Sequence, residues 1–411
     1  MTEGGAAGNA AQAVALLRNP ATIRARATHL LARAREGRSE HFRVCDSAVA
    51  PAAALVARIT RERYPGQIPP HSRWRHFEAA GVDRIAQVLE PLLRVQAVQD
   101  RWMALADLCI VSVLLDAGAG SLWRYQAPDG SVHQRSEGLA LASLYSFCAG
   151  NFSHDSGHPL QVSARGLHAL SASCLAASLQ CHPGNPMPGF EGRHALLRSL
   201  GALIEEKPQD FGHLGRPCGL LAEAVESGQA VDPEKVLGLL LERLGPIWPS
   251  PSRIAAYPLG DCWRHPHLEG EGLSCGWMPF HKLSQWLAYS LGEALQRAGL
   301  QVETSTALTG LPEYRNGGLM IDTGILVFKD VEAQQRSYTV DDPLVVEWRA
   351  LTVALLEEVA VAVRLALGLD AQALPLACVL EGGTWAAGRL LANARRGGNP
   401  PLEVQLTGTV F

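Results

Sequence analysis

Pro343-Leu-Val-Val-Glu-Trp-Arg-Ala-Leu-Thr-Val-Ala-Leu-Leu-Glu-Glu-Val-Ala-Val-Ala-Val-Arg-Leu-Ala-Leu367 decides the fold class. The run opens after Asp341-Asp342. A carboxylate that can cap, followed by proline at the first helical position, starts a helix. Nearly every position is apolar; the exceptions are Glu347, Arg349, Thr352, the Glu357-Glu358 pair and Arg364. Such a helix is buried on most sides. Glu347 and Arg349 inside that surface are costly unless each finds a partner. Two residues apart on a helix, they face different sides and cannot simply pair with each other.

Working outward, helical spacing recurs. Ala11–Glu36 reads as helices broken at Asn19-Pro20, and Ala48–Arg63 as an alanine-rich helix stopped by Tyr64-Pro65-Gly66. Val82–Leu93, Asp100–Leu115, Glu137–Phe147 (capped by Ser136), Ser163–Leu179, Gly192–Glu206, Pro233–Leu244 and Pro279–Ala298 are the other expected helices. Leu122–Gln126 and Ser131–Gln134, split by Asp129-Gly130, form a short hairpin. Ile247–Cys275, rich in Pro, Gly, Trp and His, is an ordered loop. Strand and helix do not alternate, and no repeat appears. The expected fold is mainly α, a compact multi-helix unit with a few short strands. Residues 1–12 read as a flexible leader and 13–411 as a single helical catalytic unit, with two lobes meeting near residue 250 as the variant.

Composition excludes several classes. The 411 residues are 47% hydrophobic and 18% charged, with a net charge of -4. That is a globular chain, not a disordered one. A pI near 6.4 offers no general field for nucleic acid. Apolar runs such as Cys109–Leu115 fall far short of the ~20 residues of a membrane span. Nine unframed cysteines and no signal peptide make the cytoplasm the expected location. Only Lys207, Lys235, Lys282 and Lys329 are lysines, so each draws interest.

Several motifs have plainer readings. Gly272-Leu-Ser274-Cys-Gly276 matches G-x-S-x-G, but no strand enters it, so a strained nucleophile turn is not expected. Cys262, His265, His267 and Cys275 could hold zinc, yet the spacing is not a standard knuckle and polar loop packing is the weightier reading. Asp116-Ala-Gly-Ala-Gly120 follows a helix and so fails the context test for a dinucleotide loop. In Pro279–Ala298, Phe280, Leu283, Leu287 and Leu291 make an apolar stripe, while His281 and Gln285 share another face and could act together.

Six patches set charges beside aromatics or glycine: Ser72-Arg-Trp-Arg-His-Phe77, Asp116–Gly120 with Trp123-Arg-Tyr125, Arg135-Ser-Glu-Gly138, Pro279–Trp286, Tyr314-Arg-Asn-Gly-Gly318 and Val346-Glu-Trp-Arg349. Aromatics stack, arginines bind oxygens and glycine admits backbone, which suits a flat polar ligand. Buried ion pairs joining helices are the competing account of each patch.

These patches, with Gly260-Asp-Cys-Trp-Arg-His265, Glu381-Gly-Gly-Thr-Trp385 and the terminal Gly408-Thr-Val-Phe411, resemble the uracil-catabolism protein family of fungi and bacteria, the fourth protein of the fungal set. Thr407 departs from the pattern, where an aspartate is expected. The resemblance implies a pyrimidine-degradation route that opens the uracil ring on a ribosylated intermediate and later frees urea. The Glu347-Trp-Arg349 pattern is similar to that of queuosine-salvage nucleosidases, which implies a helical fold like that of DNA glycosylases. Together they imply an N-glycosidic hydrolase acting on ribosylurea or its 5′-phosphate. Glu347 or Asp116 is then the catalytic carboxylate, with Glu137 and Asp261 as alternates or as holders of the ribose hydroxyls. Arg349, His281, Lys282, Gln285, Trp123, Asp261, Trp263 and Arg315 bind substrate. No cofactor or metal is implied; the partners are a ribosylated pyrimidine-breakdown product and other enzymes of the route. The alternatives are a non-catalytic partner of the ring-opening enzyme and a zinc amidohydrolase.

Overall fold

The computed structural model describes residues 3–94, 98–116, 119–120, 122–248, 250–270, 272–304 and 306–405, with side chains described from residue 8 and not at 98–99. It is mainly α with short two-stranded pairings. The chain divides into two units, each assembled from separated segments. The first comprises residues 1–71, 250–285 and 304–405, and the second 72–249, 286–303 and 406–411. The division thus passes residue 250 but also crosses the chain elsewhere.

The Pro343–Leu367 helix is the axis of the first unit. It has the expected bounds: Asp342 accepts the Leu344 N–H at 2.9 Å, and Gly368 ends it with φ +69°. It lies against the Pro20–Arg35 and Val49–Arg63 helices. Val345, Val346, Leu351, Leu355, Leu356, Val359 and Val363 are wholly buried. Each such side chain contributes about 1.5–3 kcal/mol by leaving water.

The expected leader differs. Glu3–Leu17 is helical, and Ala10, Ala13, Val14 and Leu17 share a core with Ile254, Leu259, Cys262 and Trp277. Alanines bury with little entropy loss, so a segment that looks plain in sequence can still cover a core. Met1 and Thr2 lie outside the described residues.

Two antiparallel pairings steady the first unit. Phe42–Val44 pairs with Leu326–Phe328, and Cys262–Arg264 with Trp277–Pro279. The second pairing takes in Pro279, and the expected Pro279–Ala298 helix begins instead at Lys282. A π-helical turn spans Leu380–Thr384. There Gly383 faces the Val49–Arg63 helix so closely that a Cβ would stand 2.5 Å from the Val56 carbonyl oxygen.

In the second unit, the Val98–Leu114 and Arg135–Cys148 helices adjoin. The latter starts at Arg135 (φ +53°), so Ser136 lies inside it and Gln134 takes the capping position. Tyr125–Gln126 and Val132–His133 form the expected hairpin. The expected Ser163–Leu179 helix is two, Ala164–Ala169 and Ala172–Ser178, each capped by a serine. Among the described residues no helix is long and apolar enough to cross a membrane.

Gly383→Ala should destabilise the protein by about 1–3 kcal/mol, because the clash is with backbone that cannot turn aside. Urea denaturation followed by circular dichroism measures it; an unchanged midpoint would contradict this account of the helix contact.

Candidate functional site

The tightest polar assembly in the first unit centres on Asp261, which follows the Gly260 turn (φ +63°) and precedes the Cys262–Arg264 strand. Arg349 grips both its oxygens, Nη1 to Oδ1 at 2.8 Å and Nη2 to Oδ2 at 2.7 Å. The Trp263 indole N–H donates to Oδ1 at 2.8 Å and the Lys282 backbone N–H to Oδ2 at 3.1 Å. Burial would raise the Asp261 carboxyl pKa, but Arg349 and these donors outweigh it and hold it below the usual range. The guanidinium also lies over the Phe280 ring at 4.0 Å.

This cluster unites Asp261, Trp263, Lys282 and Arg349, with His281 and Gln285 beside it. The expected partnership of His281 with Gln285 is not there. His281 precedes the helix with φ +49°, and its Nε2 meets the Leu17 carbonyl at 3.0 Å. Gln285 turns to Thr309 instead. Its Nε2 donates to the hydroxyl at 2.8 Å and its Oε1 accepts from the Thr309 N–H at 2.8 Å. Both are tied to protein, and burial lowers the His281 pKa.

Glu347 faces elsewhere. It is buried, with 3% exposure, and belongs to no ion pair among the described residues. Burial raises its pKa, offset in part by the Ser39 hydroxyl and the nearby His267 and Arg33 charges. The Ser39 oxygen accepts the backbone N–H groups of His41 (3.1 Å) and Phe42 (2.8 Å). The same hydroxyl lies close enough to the Glu347 carboxyl to lower its pKa. Lys329 secures that turn by donating to the carbonyls of Gly37 (3.0 Å) and Ser39.

Histidines border this side. The His265 ring lies 5.7 Å from that of His267, and burial, then His267, His41 and Arg33, depress its pKa to about 4. It is neutral at pH 7. His267 meets Glu40 at 3.1 Å. Among the described residues no three His, Cys, Asp or Glu side chains converge as a metal site. Cys262 is wholly buried with its thiol pKa pushed up, while Cys275 is exposed, so the four residues read as zinc ligands do not converge. Ser274 sits in a short turn without an entering strand and receives Arg26 through its hydroxyl at 3.2 Å.

Asp116 and Glu137 belong to the second unit, where Arg73 joins them. Arg73 Nη1 reaches Asp116 Oδ2 at 3.0 Å and the Ser136 carbonyl at 3.2 Å; Nε donates to Ser112 at 2.7 Å. Arg73 is wholly buried, and the Glu137 charge acts on it as well. Trp123 is also fully buried, its indole N–H on the Leu179 carbonyl at 2.9 Å and its ring against Gly138. Ala117 and Gly118, inside the Asp116–Gly120 patch, lie outside the described residues, as do Thr407 and Gly408–Phe411.

Sequence reasoning missed three residues. Ser39 carried no motif. Glu313 is the cap of the Tyr314–Asp322 helix, accepting the Arg315 and Asn316 N–H groups at 2.7 and 2.6 Å. Glu381, quoted only as part of a motif, is a buried hub. His71 Nδ1 and Arg63 Nη2 meet it at 2.8 Å and the Tyr64 hydroxyl at 2.9 Å. Burial would raise its pKa, but these partners take it down to about 2.

The chain is therefore a mainly helical protein whose buried acids sit in separate polar centres inside apolar helices. The family described as "Protein of unknown function (DUF1688)" matches residues 16–411. Protein urg3 of Schizosaccharomyces pombe is 35% identical, covering 97% of this chain and 99% of its own. Uracil catabolism protein 4 of Lachancea kluyveri is 33% identical, covering 92% and 93%. The chain belongs to this family, the one its motifs resemble.

Two outcomes follow. Asp261→Asn should lower stability by about 3–5 kcal/mol, because Arg349 is left charged and half-paired in the interior; denaturant titration reads the loss. The Glu381 carboxyl, depressed in the folded state, contributes stability that is full above its unfolded pKa and lost as pH falls toward about 2. Stability measured between about pH 5 and 2 should fall, and Glu381→Gln should flatten that slope.

Proposed function

We propose that the protein acts in uracil degradation as an N-glycosidic hydrolase that releases urea from ribosylurea or its 5′-phosphate. The names of its relatives supply the route, and Glu347 carries the chemistry. It is a buried carboxylate outside any ion pair among the described residues, with the Ser39 hydroxyl nearby.

Breaking the C1′–N bond leaves positive charge on the ribose. A carboxylate in a water-poor site opposes that charge more strongly than one in water. In this reading Glu347 takes a proton from the attacking water, whose oxygen bonds C1′, while the departing urea nitrogen receives a proton from an acid. His267, held by Glu40, is assigned that role. Asp261 and Arg349 satisfy each other, so their part is to fix the long helix on which Glu347 stands. Asp116 and Glu137 act on Arg73 within the second unit and are assigned no step.

The purified protein should release urea from at least one of the two substrates. Glu347→Gln should reduce the rate at least ~10²-fold with an unchanged melting curve. Failure of both substrates, or full activity in the variant, removes the reading. The pH profile adds a second check. Glu347 works ionised, and burial raises its pKa. Activity should therefore decline with falling pH in an acid limb above the ~4.3 of an ordinary glutamate.

A further inference from the structure

A buried arginine normally faces a carboxylate, because a desolvated cation is costly alone. Arg315 departs from that rule. It is 3% exposed and makes no ion pair among the described residues. One guanidinium bond is made, Nη1 to the Gly398 carbonyl at 3.2 Å, and the guanidinium lies 4.7 Å from the Tyr314 ring centre. Its Nε is buried without any hydrogen-bond partner.

Neither nearby acid forms an ion pair with Arg315 among the described residues, although the Glu313 charge acts on it. Glu313 turns its oxygens to the backbone N–H groups of Arg315 and Asn316. Asp322, at the far end of the same helix, is held by Arg396 through two bonds of 2.8 and 2.6 Å. The next residue repeats the pattern: Asn316 is wholly buried, donates to the Leu311 carbonyl at 3.1 Å, and leaves its Oδ1 without a partner. The backbone here is held firmly, since a Cβ on Gly388 would stand 2.1 Å from the Arg315 carbonyl oxygen.

We propose that Arg315 binds the phosphate of a sugar phosphate, with the Asn316 side-chain oxygen accepting a sugar hydroxyl. A guanidinium matches a phosphate in charge and fork geometry, and the unpaired amide oxygen suits an O–H donor. The choice of a sugar phosphate among anions rests on the function proposed above; the anion site itself does not.

Calorimetric titration of the full chain with ribose 5-phosphate, ribose and inorganic phosphate tests this. Ribose 5-phosphate should bind at least tenfold more tightly than ribose. Arg315→Gln should abolish that difference, and Arg315→Lys should retain part of it. Equal binding of the two sugars by the wild-type protein, or no binding of ribose 5-phosphate, overturns the proposal whether or not the glutamine variant folds. So does a folded Arg315→Gln that keeps the preference. Urea release separates the two readings. Hydrolysis with no preference for the phosphorylated substrate leaves the glycosidase and removes the phosphate site. A phosphate preference lost in the variant, without urea release, does the reverse.

Discussion

The bidentate contact between Asp261 and Arg349 ties a turn of the 250–285 segment to the N-terminal third of the long apolar helix. Neither charge could stay inside alone. Each ion leaving water carries a penalty of several kcal/mol, and only good geometry with further hydrogen bonds offsets it. Here the Trp263 indole and the Lys282 backbone N–H complete the carboxylate, while Phe280 covers the guanidinium. The same turn positions the Cys262–Arg264 strand, the start of the Lys282–Arg297 helix and the histidine side of Glu347. One ion pair thus sets the register of several groups that sequence reasoning had assigned to substrate.

That reassignment has a general cause. A charged residue on a greasy helix announces that it has a partner, but not whether the partner is protein or ligand. Arg349 and Asp261 proved to be mates. Glu347, two residues away, points to another side, as helical geometry requires, and meets a hydroxyl rather than a cation. Arg315 meets a carbonyl and an aromatic ring. Charge balance within the described residues is what distinguishes these cases.

Much of the fold was legible. The Pro343–Leu367 bounds followed from an aspartate cap, a proline and a terminal glycine, all local signals. The hairpin at Asp129-Gly130 and the Asn19-Pro20 break were equally local. What failed depended on distant contacts. The strand Trp277–Pro279 lies beside Cys262–Arg264, so Pro279, which reads as the start of a helix, is extended. Ala10 patterns as leader, yet with Ala13 it covers a core supplied by residues past 250. Within the site, the acids and arginines were named from the sequence but their pairings were not. Ser39 was invisible, because its importance lies in two backbone N–H groups and a lysine nearly three hundred residues away.

This last arrangement explains why Glu347 can remain without a cation. A free carboxylate on a buried helix would recruit any flexible arginine within reach. The Gly37–His41 turn prevents that by offering a hydroxyl whose acceptor sites are already filled, held in place by Lys329 on the opposite flank. The lysine's bonds go to carbonyl oxygens. His267 is drawn toward Glu40, and His265 is kept neutral by burial. His267 thereby has another partner and the Arg33 charge acts on Glu347 without an ion pair, so the carboxylate keeps a capacity for protons that a salt bridge would have removed.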